Sequence, residues 1–356
     1  MSDLQHDSLI IRTWHEITVN ALRSRASDIH IEPRLHQGDV RVRVDGQLIK
    51  QTQYPIHLHE RLITRIKILS RLDIAEKRVP QDGRLLIGHE FSKPDTHCRV
   101  SIIPTLYGEK AVVRILPNNL EELSLEKLGL LPEQLRIFRN ALQQTNGLIL
   151  VTGPTGSGKT RTLYSCLNQL NQVHRNICSI EDPIEIQLPG INQVAYHPRA
   201  GLDFPTIIRA LLRQDPDVIM IGEIRDTASA QLAIQAAQTG HLVLSTIHTR
   251  NASGVLARLN HLGIDSEAIE SCLRCVSSQR LLRQRCTRCL KDLKNTHCPQ
   301  CNNTGYFGRI GVHEVLEGEQ IFSSAPYLDL YSAGLESVKA GNIDQVTLDA
   351  EVGTWH

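Results

Sequence analysis

The stretch from Gly147 to Thr160 constrains this chain more than any other. Residues 147–152 (GLILVT) form a short, almost wholly apolar run, the pattern of a strand buried on both faces. It runs directly into Gly153, Pro154, Thr155, Gly156, Ser157, Gly158, Lys159 and Thr160, and helix-forming residues follow. A glycine-rich loop between strand and helix can turn its N–H groups inward around phosphate oxygens, and the helix adds the positive end of its dipole. Residues 153–160 are therefore expected to hold a nucleotide, ATP. Lys159 should reach the β- and γ-phosphates, and the Thr160 hydroxyl should ligate Mg²⁺.

The surrounding pattern fits such a loop. Apolar runs at 147–152, 177–180, 218–221 and 242–246 alternate with helical stretches, which predicts an α/β domain with a parallel sheet covered by helices. Ligands of such sheets lie at the carboxyl ends of the strands. Asp217 starts the run 218–221 and so belongs roughly 15–20 Å away, at ~3.3 Å per residue. Glu223 follows the run and sits at the correct end. It is the expected second Mg²⁺ contact and the group that positions an attacking water.

Ahead of this domain the period changes. Residues 1–26 read as a helix with Ile10, Trp14, Ile17 and Leu22 on one face, and 27–50 alternate as strands closed by an Asp45-Gly46 turn. A helix over 56–74, a turn at Gln81-Asp82-Gly83, and strands near 97–103 and 110–116 complete a small N-terminal α+β domain, residues 1–116. Pro117-Asn118-Asn119 opens a hinge over 117–125. The large domain then spans 126–316, and 317–356 reads as a helical segment.

Composition excludes rather than selects. Lys+Arg 39 against Asp+Glu 38 leaves a net charge of +1, and aromatics are 4%, so neither a nucleic-acid nor a membrane partner is demanded. The first residues show no signal peptide, and no apolar run approaches the ~20 residues that span a bilayer. A cytosolic chain is expected, in which nine cysteines serve as thiols or metal ligands.

Residues 26–33 (ASDIHIEP), 41–46 (RVRVDG), 80–84 (PQDGR) and 99–105 (RVSIIPT) come in one order, followed by 180–185 (IEDPIE), 212–217 (LRQDPD), 222–226 (GEIRD) and 239–248 (TGHLVLSTIH). In that order they resemble the secretion and pilus-assembly ATPases, the motors of type II secretion, type IV pili and competence pseudopili, over about residues 20–316. The resemblance implies a RecA-like P-loop ATPase domain. It makes Glu181, Asp182 and Glu185 catalytic-site acids and His241 and His248 sensors of the phosphate. It also implies that Arg99, Arg114, Arg209, Arg213 and Arg225 help the transferring charge, from the small domain or from a neighbouring subunit. The residues are compatible: Glu181 and Asp182 leave one strand, and His248 another, at the expected end. His241 precedes its strand.

Cys286-x-x-Cys289 and Cys298-x-x-Cys301 are two knuckles separated by eight residues, spacing that suits a tetrahedral Zn²⁺, with free thiols as the alternative. Secretion and pilus-extension members of the family carry a similar module, with a longer segment between the knuckles. Cys272 and Cys275 fall inside an expected helix over 267–283 and read as buried small residues, as do Cys98, Cys166 and Cys178.

The resemblance implies a homo-hexamer in the cytoplasm, docked on a polytopic inner-membrane platform protein at the inner face of the plasma membrane, moving pilin-like subunits by domain closure, with no direct nucleic-acid contact. The compact layout, whose first motif begins by residue 26, most resembles the competence pseudopilus ATPase that serves DNA uptake. Two other readings stand beside it. One is a DNA-translocating ATPase using the basic helix of Arg61, Arg65, Lys67 and Arg71. The other is a nucleotide-gated adaptor without turnover.

Overall fold

The alternation of Ile29, Ile31, Val40 and Val42 with charged residues produces strands buried on one side only. In the computed structural model, which describes residues 2–88, 96–116, 120, 123–291, 298–323 and 325–353, with side chains from Leu9 on and outside 290–291, the chain divides into two units, Met1–Asn118 and Asn119–His356. Pro117, Asn118 and Asn119, which open the expected hinge, lie outside the described residues.

The first unit runs α1 (Ser2–Arg23), β1 (Asp28–Pro33), β2 (Gln37–Val44), β3 (Gln47–Pro55), α2 (His59–Leu69), β4 (Gln81–Ile87), β5 (Thr96–Thr105) and β6 (Gly108–Ile115). The strands form one antiparallel sheet in the order β3-β2-β1-β6-β5-β4. Asp45 and Gly46 both have positive φ (48° and 89°), which suits the two-residue hairpin joining β2 to β3. One sheet face packs Ile29, Ile31, Val40, Val42, Val100 and Val113 against Trp14, Ile17, Leu62 and Ile66 of the helices.

The expected turn at Gln81-Asp82-Gly83 is instead the start of β4, paired residue by residue with Ile102, Ser101 and Val100. Glycine stands there for close approach: a Cβ on Gly83 would lie 2.9 Å from both the Ser70 carbonyl and the Leu72 side chain.

The second unit contains α3 (Pro132–Leu142), β7 (Gly147–Thr152), α4 (Lys159–Leu170), β8 (Ile177–Glu181), β9 (Asn192–Ala195), α5 (Phe204–Leu211), β10 (Val218–Ile221), α6 (Thr227–Gln238), β11 (Leu242–Ile247), α7 (Gly254–His261), α8 (Ser266–Cys272), β12 (Leu273–Arg285), α9 (Thr287–Lys291), β13 (Tyr306–Glu317), α10 (Glu319–Phe322), α11 (Leu330–Lys339) and α12 (Gln345–Glu351). Its sheet has the order β13-β12-β7-β11-β10-β8-β9, parallel throughout except for β13. The strands of the middle are buried on both faces, between two apolar layers.

Two expectations change here. The helix expected over 267–283 ends at Cys272, and the chain continues as the thirteen-residue strand β12. Cys272 and Cys275 are nevertheless buried, at 1% and 0% exposure, and so are Cys98, Cys166 and Cys178. Leu123 and Leu125, within the expected hinge, are buried in the core of the second unit. The C-terminal helices α11 and α12 belong to that unit as well. Leu330, Ala333, Leu348 and Val352 cover Leu282 of β12 and Val312 of β13. Among the described residues, no helix is long and apolar enough to cross a membrane.

Candidate nucleotide site and cysteine cluster

The loop between β7 and α4 is shaped by three glycines at positive φ: Gly153 at 141°, Gly156 at 81° and Gly158 at 92°. A Cβ on Gly153 would sit 2.5 Å from the Gln279 carbonyl, so position 153 is closed to other residues. Pro154, Thr155 and Gly156 are exposed at the loop's crest, and Ser157 is buried beneath it. Lys159 folds back and donates through Nζ to the carbonyls of Gly153 and Pro154 at 2.8 and 3.0 Å. Burial lowers the pKa of its ammonium, Glu223 opposes that shift, and Arg280 adds to it. The loop is thus a ready anion cradle, with its one cation held over its own carbonyls.

The parallel register sets what surrounds it. Thr152 ends β7 opposite Ile247 of β11, and Ile221 ends β10 opposite Ser245. The residues just past these ends therefore share one edge of the sheet. Glu223 receives His248 Nε2 on Oε1 at 2.8 Å and Arg225 Nε on Oε2 at 2.8 Å. Arg225 Nη1 lies 3.8 Å from Asp182 Oδ2, just past β8. Asp182, Arg225, Glu223 and His248 form one chain of polar contacts. Thr249 ties this edge to the glycine loop, donating its N–H to Thr152 Oγ1 at 2.8 Å. Gly222 lets β10 and β8 lie close before Glu223, since a Cβ there would crowd the Ile180 carbonyl at 3.0 Å.

Asp217, which the sequence already sets away from the phosphates, and His241, an expected site residue, lie elsewhere. Asp217 lies at the opposite edge, where Oδ2 accepts from the Asn176 N–H at 2.7 Å. His241 is at that edge too. Its carbonyl accepts from Gly147 N, at the start of β7, and its Nδ1 donates to the Ala236 carbonyl at 3.0 Å. Six strand residues separate it from the loop, so within the chain it does not reach the phosphate end.

Arg209 lies in α5 and Arg213 just past its end, and both are exposed. The helix α5 stops at Leu211, and Arg213 Nη1 donates back to the Arg209 carbonyl on the exposed side. Glu181 is 3% exposed and its carboxylate is filled by Tyr164, Ser179 and Gln193, so it does not face open solvent at the strand end. Glu185 is exposed, in the loop that follows.

Arg99 and Arg114, in the first unit, stand directly opposite each other on β5 and β6. They continue a cross-strand row of Arg43, Asp28, Arg114, Arg99 and Arg84 on one face. Arg114 Nε donates to Asp28 at 3.0 Å. Like charges directly opposite are unfavourable on a bare sheet, so this row favours an anion. Arg84 belongs to it and was hidden by the expected turn. Gln279 and Arg280 of β12 were hidden by the expected helix. Gln279 Nε2 donates to the Ser157 carbonyl at 2.7 Å and its Oε1 accepts from Thr162 at 2.8 Å, splinting the loop to α4.

The four sulfurs of Cys286, Cys289, Cys298 and Cys301 lie within 4.8 Å of one another. Cys286 and Cys298 are 3.9 Å apart, and Cys289 and Cys301 3.4 Å. Tetrahedral zinc at ~2.3 Å from each sulfur sets them about 3.8 Å apart, so the cluster fits that ion. Backbone N–H groups led by Cys301 lower the pKa of the Cys298 thiol, while hydrogen bonds to neighbouring sulfurs, Cys301 first, raise that of Cys289.

Residues 3–328 match the family described as "Type II/IV secretion system protein". The protein transport protein HofB homolog of Haemophilus influenzae is 45% identical over 350 residues, 98% of this chain and 74% of that protein. The type IV pilus assembly ATPase PilB of Myxococcus xanthus is 41% identical over 340 residues, 89% of this chain and 60% of that protein. Among solved structures, the pilus retraction motor PilT with bound ADP aligns at a TM-score of 0.66 and 26% identity, covering 94% of this chain and 95% of that one. The chain belongs to the type II/IV secretion system protein family and is one of its ATPases.

Proposed function

We propose that this chain is a cytosolic motor in which ATP hydrolysis at the glycine loop drives closure of its two units and powers assembly of a pilus or pseudopilus, with competence DNA uptake as the system to test first. Residues 153–160 would hold the phosphates. Thr160 and Glu223 would hold Mg²⁺, which supplies charge neutralisation at the transferring phosphoryl group, and Glu223 would orient the attacking water. Asp182 and Glu185 would face the same edge. His248, bonded to Glu223, would report whether a γ-phosphate is present. Arg225, with Arg99 and Arg114 from the small unit and Arg209 and Arg213 offered to a neighbouring subunit, would supply positive charge. The working form would be a hexameric ring on a polytopic platform protein at the inner membrane face, moving pilin-like subunits without touching nucleic acid. The four cysteines would hold a structural Zn²⁺.

The observation that supports this reading most is the Glu223 carboxylate. It sits at the same sheet edge as the glycine loop, is oriented by His248 and Arg225, and its charge is felt at Lys159. The test is Mg²⁺-dependent ATP turnover by the purified chain. Glu223→Gln keeps the acceptor geometry and removes the charge. It is expected to bind an ATP analogue as the parent does while turnover falls at least about 100-fold. Lys159→Ala is expected to lose analogue binding and turnover together. Full turnover by Glu223→Gln removes the assigned role. Turnover that rises strongly only on adding DNA replaces the motor reading with a DNA translocase. A strain lacking the chain that still takes up DNA removes the competence assignment.

A further inference from the structure

Among the described residues Tyr164 is the largest fully buried side chain, at 0% exposure, on the helix that Lys159 opens. Every polar capacity of its hydroxyl is used. It donates to Glu181 Oε2 and accepts from the N–H groups of Glu185 at 3.1 Å and Ile186 at 3.4 Å. The other Glu181 oxygen accepts from Ser179 Oγ at 2.7 Å and Gln193 Nε2 at 2.9 Å. Gln193, on the edge strand β9, also donates to the Ile186 carbonyl at 3.0 Å and accepts from Leu188 N at 2.8 Å. Burial, then the Glu181 charge, raises the tyrosine's pKa, so it remains a donor.

A carboxylate this enclosed, with three side-chain donors, is fixed in place, and a donor removed from it leaves a buried acceptor unsatisfied. Asp182 and Glu185 leave that buried group on either side of Pro183. The backbone of 185–188 is held at four points by two side chains, one on the nucleotide-loop helix and one on the edge strand.

We infer that Tyr164 and Gln193 are positioning residues of the hydrolytic site, fixing the loop that carries Asp182 and Glu185 by holding both the Glu181 carboxylate and the backbone of 185–188. The inference rests on the ATPase reading above. It makes Glu181 the buried anchor of the acidic segment, and Asp182 and Glu185 the members that can face substrate. It also joins the acidic loop to Lys159 through one rigid helix, five residues apart in sequence.

Tyr164→Phe keeps the ring and removes only the hydroxyl. Two measurements on the full chain decide the matter. In amide hydrogen exchange, the Glu185 and Ile186 N–H groups of the variant should exchange about tenfold faster, while strands β7 and β10 keep their protection. In steady-state turnover, kcat should fall about 10–100-fold, as for other outer-shell partners, with KM for ATP within about twofold. If Tyr164→Phe does not fold, Gln193→Met, on the edge strand, is read at the Leu188 N–H, which should exchange about tenfold faster, with the same expectation for kcat and KM, and unchanged Leu188 exchange overturns the geometry.

Unchanged exchange at 185 and 186 overturns the geometry. Faster exchange with unchanged kcat overturns the positioning role. Losses of kcat and ATP affinity in step, with general loss of protection, reduce Tyr164 to a core residue and overturn the inference. Parent protein that shows the protection pattern but no Mg²⁺-dependent turnover overturns the ATPase reading, and the positioning role with it.

Discussion

Glu314 on β13 is the acid whose environment is most at odds with its charge. It is 2% exposed, and its Oε1 accepts from Ala252 N at 3.3 Å. Burial raises its pKa to about 7, Asp329 adds to the rise, and Arg280 and the backbone N–H groups of Ala252 and Ser253 oppose it. An acid raised in the folded state binds its proton more tightly there than in the unfolded chain. Its contribution to stability is therefore complete below its ordinary 4.5 and is lost as pH climbs through about 7. Glu314→Gln keeps an acceptor for Ala252 and cannot ionise. Urea melts should show parent and variant alike near pH 4, and the variant more stable at pH 8 by up to roughly 3 kcal/mol. Parallel pH profiles would remove the assignment. Glu314 had no signal in the sequence, where it reads as one polar residue among apolar ones. By contrast Lys159, Thr160 and Glu223 were legible because their meaning is local: a glycine loop after a strand, and an acid after the next apolar run.

Among elements, the cysteine arm depends most on something other than an apolar core. Cys286, Cys298 and Cys301 are buried, and among the described residues the small cluster they form adds Cys289 and Phe307. Four thiols and one ring bury too little to hold a segment against its chain entropy, so a metal is the expected source of order. Stripping metal with a strong chelator should expose the arm to protease between α9 and β13 and lower its melting temperature, and added Zn²⁺ should reverse both. Cys289→Ser should behave like the stripped protein, while analogue binding at the glycine loop persists. Equal protease resistance with and without chelator would count against zinc. The knuckles themselves were legible from spacing. The strand leading to them was not. Residues 273–283 carry Leu, Cys, Val and Gln in an order compatible with either period, and only pairing to β7 and β13 makes them extended.

For the whole molecule, the roles proposed for the charge row of the first unit and for Arg209 and Arg213 call for a neighbouring subunit. Arg84, Arg99 and Arg114 face one another with a single acid, Asp28, in the row. Arg209 and Arg213 are exposed, with Arg213 bonded back to the Arg209 carbonyl. A ring in which subunits complete one another's sites accounts for both. Sedimentation with Mg²⁺ and a non-hydrolysable ATP analogue should yield a particle of six chains of 39.9 kDa each. A chain that stays monomeric at saturating nucleotide and still turns over ATP at full rate would remove the ring.

By itself the sequence determined the α/β class, the nucleotide loop, the acid at the end of β10 and the two cysteine knuckles. Each of these is written in residues close together, where glycine placement, apolar period and ligand spacing act over less than one element. The tertiary structure alone decided which acids face outward and which is enclosed, as with Glu185 and Glu181. It also decided that His241 sits at the far edge while His248 meets Glu223, and that Gln279 braces the loop from a strand more than a hundred residues away. These depend on strand order and register, which bring distant segments together, and no local pattern in the chain specifies a neighbour that far off.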